Sequence, residues 1–366
     1  MRFLARLSQS LCTACSPVMR SLVGLCLSIA SLLVPAGGQL TTVYAATQYT
    51  VRVGGESIDK SAQALGFYPA VITIVEGDSI TWQQTTEEPH SVTFFGSMQD
   101  LPTFTIPAPG GGIAINPAWF NPNGATSFAG TGLAHSGFMP AVGTSFTLTF
   151  PRAGTYQYIC LVHGPGQRGV VRVLPAGQRA PMTPAEVDAQ GAAEQSAGVA
   201  IADMLGRGIS DRQTPAANGR TVHNIRADVP VPQGNMAVLR FLPGSLTVRV
   251  GDTVRWDMSG NPAAFHTITF LSGAPVPDFL IPQPQQSGPP LLLINPQVLQ
   301  PAGGAIYEGR GMVNSGLLFS PIPDPREAIV SQGLSFQVAF TRPGTYEYIC
   351  VVHAALGMRG TITVVE

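Results

Sequence analysis

The sequence predicts an all-β protein: two tandem β-sandwich domains joined by a linker that contains one helix. Three observations carry that prediction. Gly (41) and Pro (32) are abundant without a collagen period, and charged residues make up only 11%, against about 25% in an ordinary globular protein. Apolar residues, 45% of the chain, fall in short alternating runs, which suits folded sheet better than disorder or helix. Finally, one phrase is written twice, as "GTYQYICLVH" ending at His163 and as "GTYEYICVVH" ending at His353.

The repeat reaches well beyond that phrase. Val75-Glu76-Gly77-Asp78-Ser79-Ile80-Thr81-Trp82 matches Val250-Gly251-Asp252-Thr253-Val254-Arg255-Trp256. "HSVTF" at His90 matches "HTITF" at His266, and Ile115-Asn116-Pro117 matches Ile294-Asn295-Pro296. "SGFM" at Ser136 pairs with "SGLL" at Ser315, and "SFTLTF" at Ser145 with "SFQVAF" at Ser335. The order is kept throughout, which is the mark of domain duplication.

Each copy reads as strands. Val71, Thr73 and Val75 alternate with Ile72 and Ile74 before a Gly-Asp turn, and Ile80 and Trp82 open the next strand. Phe146, Leu148 and Phe150 alternate, as do Phe336, Val338 and Phe340. A period of two puts Tyr156, Tyr158 and Cys160 on one side of their strand. Tyr156, Tyr158, Tyr346, Tyr348, Trp82 and Trp256 are read as sheet core. The expected organisation is a leader over 1–45, domain 1 over 48–174, a connector over 175–234 and domain 2 over 235–366. The connector's helix is placed at about 184–205. Thr183 is its N-cap, Pro184 its first residue and Glu186 its capping-box acid. Gly191 and Gly198 interrupt its Ala-rich run, and Ser210 to Gly219 reads as loop.

The leader has the form of an export signal. Arg2, Arg6 and Arg20 precede or flank an apolar run from Leu22 to Val34, which is short for a membrane span. Small residues follow, with Ala36 or Ala45 as cleavage points. The expected location is periplasmic or extracellular, or membrane-associated if the leader stays on. Three of the five cysteines (Cys12, Cys15 and Cys26) lie in this leader. The other two, Cys160 and Cys350, hold equivalent places in the repeats. Each copy thus keeps a lone thiol, which a bound metal would protect, rather than half of a disulfide.

Histidines sharpen the metal reading. Of six, four fall at repeated positions: His90 and His163 in the first copy, His266 and His353 in the second. Each copy therefore offers a His followed by Cys-x-x-His. The second adds Met358, giving Cys350-x-x-His353-x-x-x-x-Met358. Two imidazoles, a thiolate and a distant thioether form the donor set of a blue-copper site. Zinc would take the Cys and His residues, but thioether is a poor zinc donor and the spacing is not that of a zinc finger.

The segments "YEYICVVHAALGMRG" and "GDTVRW" with "HTITF" resemble the plastocyanin- and amicyanin-like blue (type 1) copper proteins, the cupredoxins. The resemblance covers about 48–174 and 235–366. It implies two Greek-key sandwiches, and His266, Cys350, His353 and Met358 as copper ligands. In domain 1 the corresponding residues are His90, Cys160 and His163, but the turn is one residue shorter. Aligned on the Arg-Gly pair, Gln167 takes the place of Met358; counted from Cys160, Arg168 does. Gln is the chemical candidate, because Arg does not ligate and a Gln oxygen is a known axial donor. A three-coordinate or empty site is the alternative. Two coppers per chain are expected, with the lower potential in domain 1. The middles are longer than the family needs, and the surplus at Pro102 to Met139 is expected to cap the copper end or to form a partner surface.

The function expected is electron transfer, not catalysis. No His-x-His motif occurs, which disfavours a multicopper oxidase. The proposed sites use four of the six histidines, leaving His135 and His223, too few for a two-domain nitrite reductase. His135 corresponds to Asn314 and so stands outside the duplicated set. No nucleotide loop is found, and 20 Lys+Arg against 21 Asp+Glu calls for no nucleic acid. The partner expected is a redox protein: a membrane-bound donor, or a terminal oxidase or reductase, docking on apolar surface around exposed imidazole edges at His163 and His353. Oligomeric state is left open. The alternatives are a copper-delivery protein, or a structural sandwich with decayed sites.

Overall fold

The computed structural model describes residues 45–216, 219–321, 324 and 326–366; all of the leader except Ala45 lies outside them. Val43–Glu366 forms one compact unit, and it contains both copies.

Alternating sequence makes two sheets in each copy. In the first copy Gln48–Glu56 runs parallel to Ser79–Gln84, which pairs antiparallel with Ser145–Thr149. The facing sheet contains Val71–Val75, Gly164–Leu174, Gly154–Cys160, Thr93–Phe95 and Leu133–His135 in that spatial order. The second copy repeats this. Thr221–Arg226 runs parallel to Thr253–Asp257, which pairs with Ser335–Phe340. Its facing sheet contains Ser245–Arg249, Arg359–Val365, Gly344–Ile349, Thr269–Phe270 and Val313–Ser315. The chain is two Greek-key sandwiches.

Between the sheets lie matching aromatic cores. Trp82, Phe94 and Tyr158 are fully buried together, as are Trp256, Phe270 and Tyr348. Ring centroids are 5.3 Å apart for Trp82 and Tyr158 and 5.1 Å for Trp256 and Tyr348, both edge-on. Edge-on packing suits the quadrupoles of such rings.

The connector contributes more than a helix. The helix runs Pro184–Leu205, and Thr183 and Glu186 close a capping box at its start. Gly191 and Gly198 are contact points rather than flaws. A Cβ on Gly191 would lie 2.6 Å from the Tyr68 carbonyl oxygen, and one on Gly198 would lie 2.9 Å from the Tyr68 hydroxyl. The two glycines let the helix seat directly on the strand Ala62–Tyr68. Beyond it, Arg212–Pro215 and Thr221–Arg226 are strands of the second copy's sheet, where the sequence suggested loop and linker.

The copies are joined by backbone pairing. Met236–Val238 adds to the first copy's sheet beside Ala62–Tyr68. The enlarged middles form a shared four-stranded sheet, with Thr105–Pro107 and Ile113–Ile115 from one copy and Leu280–Gln283 and Leu291–Ile294 from the other. Leu293 opposite Ala114 makes the junction. Glu327 accepts hydrogen bonds from Phe104 N (2.6 Å) and Thr105 N (2.9 Å) across the same boundary. The repeated Ile-Asn-Pro motif starts a short helix in each copy: Asn116 and Asn295 cap Pro117–Phe120 and Pro296–Leu299. An apolar cluster containing Trp119, Ile294, Leu299 and Phe319 packs on Leu161, Val162 and Val352, beside both cysteines. The surplus sequence thus covers the two Cys-x-x-His turns.

Candidate metal centres

Each centre is assembled where strand gives way to turn. Cys160 ends Gly154–Cys160, and His163 lies in the tight turn before Gly164–Leu174. Cys350 follows Gly344–Ile349, and His353 caps the one-turn helix Ala354–Leu356. His90 and His266 come from a distant part of each copy. His90 exchanges backbone hydrogen bonds with Met139, and His266 sits on the two-residue strand Phe265–His266.

The side chains converge on sulfur. Cys160 Sγ lies 4.0 Å from His90 Nδ1 and 3.7 Å from His163 Nδ1. Cys350 Sγ lies 3.7 Å from His266 Nδ1 and 3.4 Å from His353 Nδ1, and the two Nδ1 atoms are 3.1 Å apart. All six residues are buried. Among the described residues these are the two groups of three or more His, Cys, Asp or Glu able to hold a metal ion. Both cysteines are free thiols.

The turns differ by one residue, and strand register aligns them. Ile159 pairs with Arg168, and Ile349 pairs with Arg359. The residues just before these arginines, Gln167 and Met358, therefore correspond. Both are fully buried. Gln167 Oε1 lies 2.8 Å from His90 Nδ1 and 3.0 Å from His163 Nδ1, while its Nε2 donates to Gly66 O at 3.1 Å. That last bond fixes which end of the amide faces the imidazoles. Met358 packs in the same apolar cluster as Cys350. Cys350 N donates to Met358 O at 3.1 Å, and Met358 N donates to His353 O at 3.2 Å.

Four residues outside the sequence-predicted donor sets also touch the centres. Ser91 N donates to Cys160 Sγ at 3.3 Å, and Thr267 N to Cys350 Sγ at 3.4 Å. Their hydroxyls accept from Leu161 N (2.8 Å) and Val351 N (2.9 Å), tying each Cys turn to its distant histidine. The signal was a hydroxyl residue directly after the first His in both copies. Asp228 Oδ2 lies 3.7 Å from His266 Nε2. Glu88 Oε1 lies 3.3 Å from His163 Nε2 and 3.9 Å from His353 Nε2.

Electrostatics favour thiolate. Burial pushes the Cys160 thiol up, but hydrogen bonds and charge from His163 and His90 outweigh it and hold it well below its ordinary value. Cys350 is likewise lowered by His353 and His266 against its burial. Burial opposes charge on His163, yet Cys160 and Glu88 raise it to about 10. His266 is raised to about 9 by Asp228 and Cys350, again against burial. Burial disfavours the Glu88 carboxylate, but His163, His353 and His90 bring it down to about 2.

One expectation fails. His163 and His353 do not present exposed edges, being only 5% and 4% accessible. Their Nε2 atoms face Glu88 and each other's domain, because the second copy covers the surface a single copy would leave open. The remaining histidines serve structure. His135 pairs with Thr93 and bonds Thr93 Oγ1 and Trp119 O, both at 2.8 Å. Asn314 pairs with Thr269 and bonds its Oγ1 and the Gln297, Val298 and Gln300 carbonyls. His223 lies between Asp211 (2.7 Å) and Asp252 (3.4 Å).

Comparison with known proteins identifies the family. The pattern described as "Copper binding proteins, plastocyanin/azurin family" matches twice, over residues 55–174 and 227–365. Chloroplastic plastocyanin of Physcomitrium patens is 29% identical over 172 residues, 46% of this chain and 84% of that protein. Plastocyanin of Scenedesmus fuscus is 30% identical over 125 residues, 34% of this chain and 97% of that protein. Among solved structures, a reduced amicyanin variant aligns at 21% identity over 36% of this chain and 83% of its own, with a TM-score of 0.22. The chain belongs to the plastocyanin/azurin family of copper-binding proteins and carries the family's domain twice.

Proposed function

We propose that the protein is an exported blue-copper electron carrier with one mononuclear site in each copy. His266, Cys350, His353 and Met358 would hold copper in the second copy, and His90, Cys160, His163 and Gln167 in the first. The observation that carries this is the convergence, in both copies, of two imidazole Nδ1 atoms on one buried sulfur. The spacing suits a metal. Bonds of about 2.0–2.1 Å to nitrogen and about 2.3 Å to sulfur leave N···S edges of about 3.7 Å in a trigonal site. The N···S distances here run from 3.4 to 4.0 Å. The soft thiolate with two imidazoles and a weak axial Met or Gln suits copper over zinc.

Bound copper supplies one-electron exchange between Cu(I) and Cu(II). The protein's part is to hold the donors still. Backbone N–H groups of Ser91 and Thr267 hold the sulfurs, and Gly66 O holds the Gln167 amide. Buried donors on sheet ends change position little between oxidation states, so exchange is fast and metal loss slow. Such closure favours a carrier over a delivery protein, which must release its metal. His135 and His223 are engaged in structural hydrogen bonds, which supports a carrier rather than an enzyme with a further copper. The leader supports export to the periplasm or beyond. A redox protein, membrane-bound donor or terminal oxidase or reductase, would be the partner.

The test is copper per chain and the visible spectrum of the oxidised protein. Two coppers and intense thiolate-to-copper absorption are expected. Fully loaded protein without that absorption would reject the blue-copper reading.

A further inference from the structure

Glu88 belongs to neither donor set, yet it stands between them. Its side chain is buried, and its Oε1 serves the Nε2 of an imidazole in each copy, His163 at 3.3 Å and His353 at 3.9 Å. Both distances end on one oxygen, so the two imidazole edges are no farther apart than their sum. A cavity of about 10 Å³ adjoins them, lined from both copies by Glu88, His163, Ala264, His266 and His353. The duplication does not repeat this carboxylate: aligned on His90 and His266, Glu88 corresponds to Ala264. One anion is therefore shared by two centres. The second centre has another of its own, Asp228, against His266 Nε2.

We propose that Glu88 is a positioning residue that couples the two centres, making the potential of each depend on the oxidation state of the other. This rests on the blue-copper reading above. An imidazole that gives Nδ1 to a metal carries its proton on Nε2, and a carboxylate there fixes ring orientation and raises ligand basicity. The charge count supplies the coupling. Thiolate with Cu(I) is neutral, and thiolate with Cu(II) carries one positive charge. When one centre gives up an electron to an external one-electron oxidant such as ferricyanide, its imidazole N–H draws Glu88 more strongly. The single carboxylate is then less available to the other imidazole, and the second oxidation is harder. Centre 1, with the shorter contact and no counterpart of Asp228, leans on Glu88 more.

The experiment is a spectroelectrochemical titration of the copper-loaded chain, followed at the thiolate-to-copper absorption. The same titration is run on Cys160→Ser and Cys350→Ser, each holding copper in its remaining site. A serine site holds no metal to oxidise, so each single-site chain gives the potential of its centre with no oxidation next door. In the intact chain the second centre to oxidise is expected to shift upward by at least about fivefold in equilibrium constant, within the usual range of coupling between sites. That is about 40 mV at 59 mV per tenfold. Glu88→Gln, which keeps the shape and removes the charge, is expected to shrink the shift and to raise the potential of centre 1 more than that of centre 2. Glu88→Asp, which keeps the charge but withdraws it, is expected to shrink the shift as well. It serves as the second variant, with folding checked by circular dichroism. Intact-chain potentials equal to the single-site values would overturn the proposal, as would an undiminished shift in both variants. Absence of the absorption in loaded protein would overturn the blue-copper reading and the coupling together; two absorptions with independent potentials would overturn the coupling alone.

Discussion

Gln167 and Met358 occupy one register position in the two copies, each buried and each just before the arginine that pairs with an isoleucine of the cysteine strand. Their chemistry differs, and that difference sets the first prediction. A hard amide oxygen favours Cu(II) more than a thioether does. In a Cys350→Ser chain, which isolates the first centre, Gln167→Met is expected to raise the potential by at least about 59 mV, tenfold in the Cu(II)/Cu(I) constant. An unchanged potential would mean that Gln167 does not face the metal.

Cysteine substitutions should act one centre at a time. Cys160→Ser and Cys350→Ser are each expected to remove one copper and one component of the thiolate-to-copper absorption, leaving the other. Metal analysis with the visible spectrum checks this. Loss of both components from either substitution would show that the other centre cannot assemble without the one removed.

Metal uptake should depend on pH with a definite sign. A histidine must be neutral to bind metal. His163 is raised to about 10 and His266 to about 9 in the metal-free protein, so each centre must release a proton on loading below those values. The cysteines, held as thiolates, add none. Affinity should rise about tenfold per pH unit at each centre from neutral pH and flatten near pH 9 to 10. Competition titrations with Co(II) at several pH values measure the slope. A flat profile would show that the buried imidazoles are already neutral.

Much of this was legible in the sequence because the fold writes it locally. Period-two runs such as Phe336, Val338 and Phe340 mark strands, and Cys-x-x-His needs only one turn to bring two donors together. The Arg-Gly pair even located Gln167, since strand register past the turn is kept when the turn shortens. What escaped depends on distant packing. Thr221–Arg226 reads poorly as a strand because its inward positions include His223, buried by pairing with Asp211 and Asp252 rather than by being apolar. Asp228, just beyond that strand, was hidden with it. Glu88 could not be read at all, because its second partner, His353, comes from the other copy. The burial of His163 and His353 has the same cause: one copy's sequence does not say that another will cover it.

The same register pairs Gly54 with Asp228. Val51 faces Trp82 as Ile225 faces Trp256, and three residues on come Gly54 and Asp228, both with positive φ, 72° and 138°. At Gly54 nothing larger fits: a Cβ would lie 2.4 Å from His90 Nε2 and 2.8 Å from Thr86 Oγ1. At Asp228 the side chain has room and accepts from Val229 N, Val238 N and Asn261 Nδ2. Gly54→Ala should therefore displace the His90 ring as well as strain the backbone, the strain alone costing about 1–3 kcal/mol. Asp228→Gly keeps the backbone at ease but takes the acceptor from Val229 N and Val238 N, at about 1–3 kcal/mol for each group left without a partner, while Asn261 Nδ2 keeps Met236 O at 2.9 Å. Both variants should unfold at lower temperature, but copper analysis should separate them. Gly54→Ala is expected to lose the first centre's absorption and keep the second's. Asp228→Gly is expected to keep both, with the second centre's potential raised by loss of the carboxylate beside His266. Retention of the first centre in a folded Gly54→Ala chain would show that His90 can shift without leaving the metal.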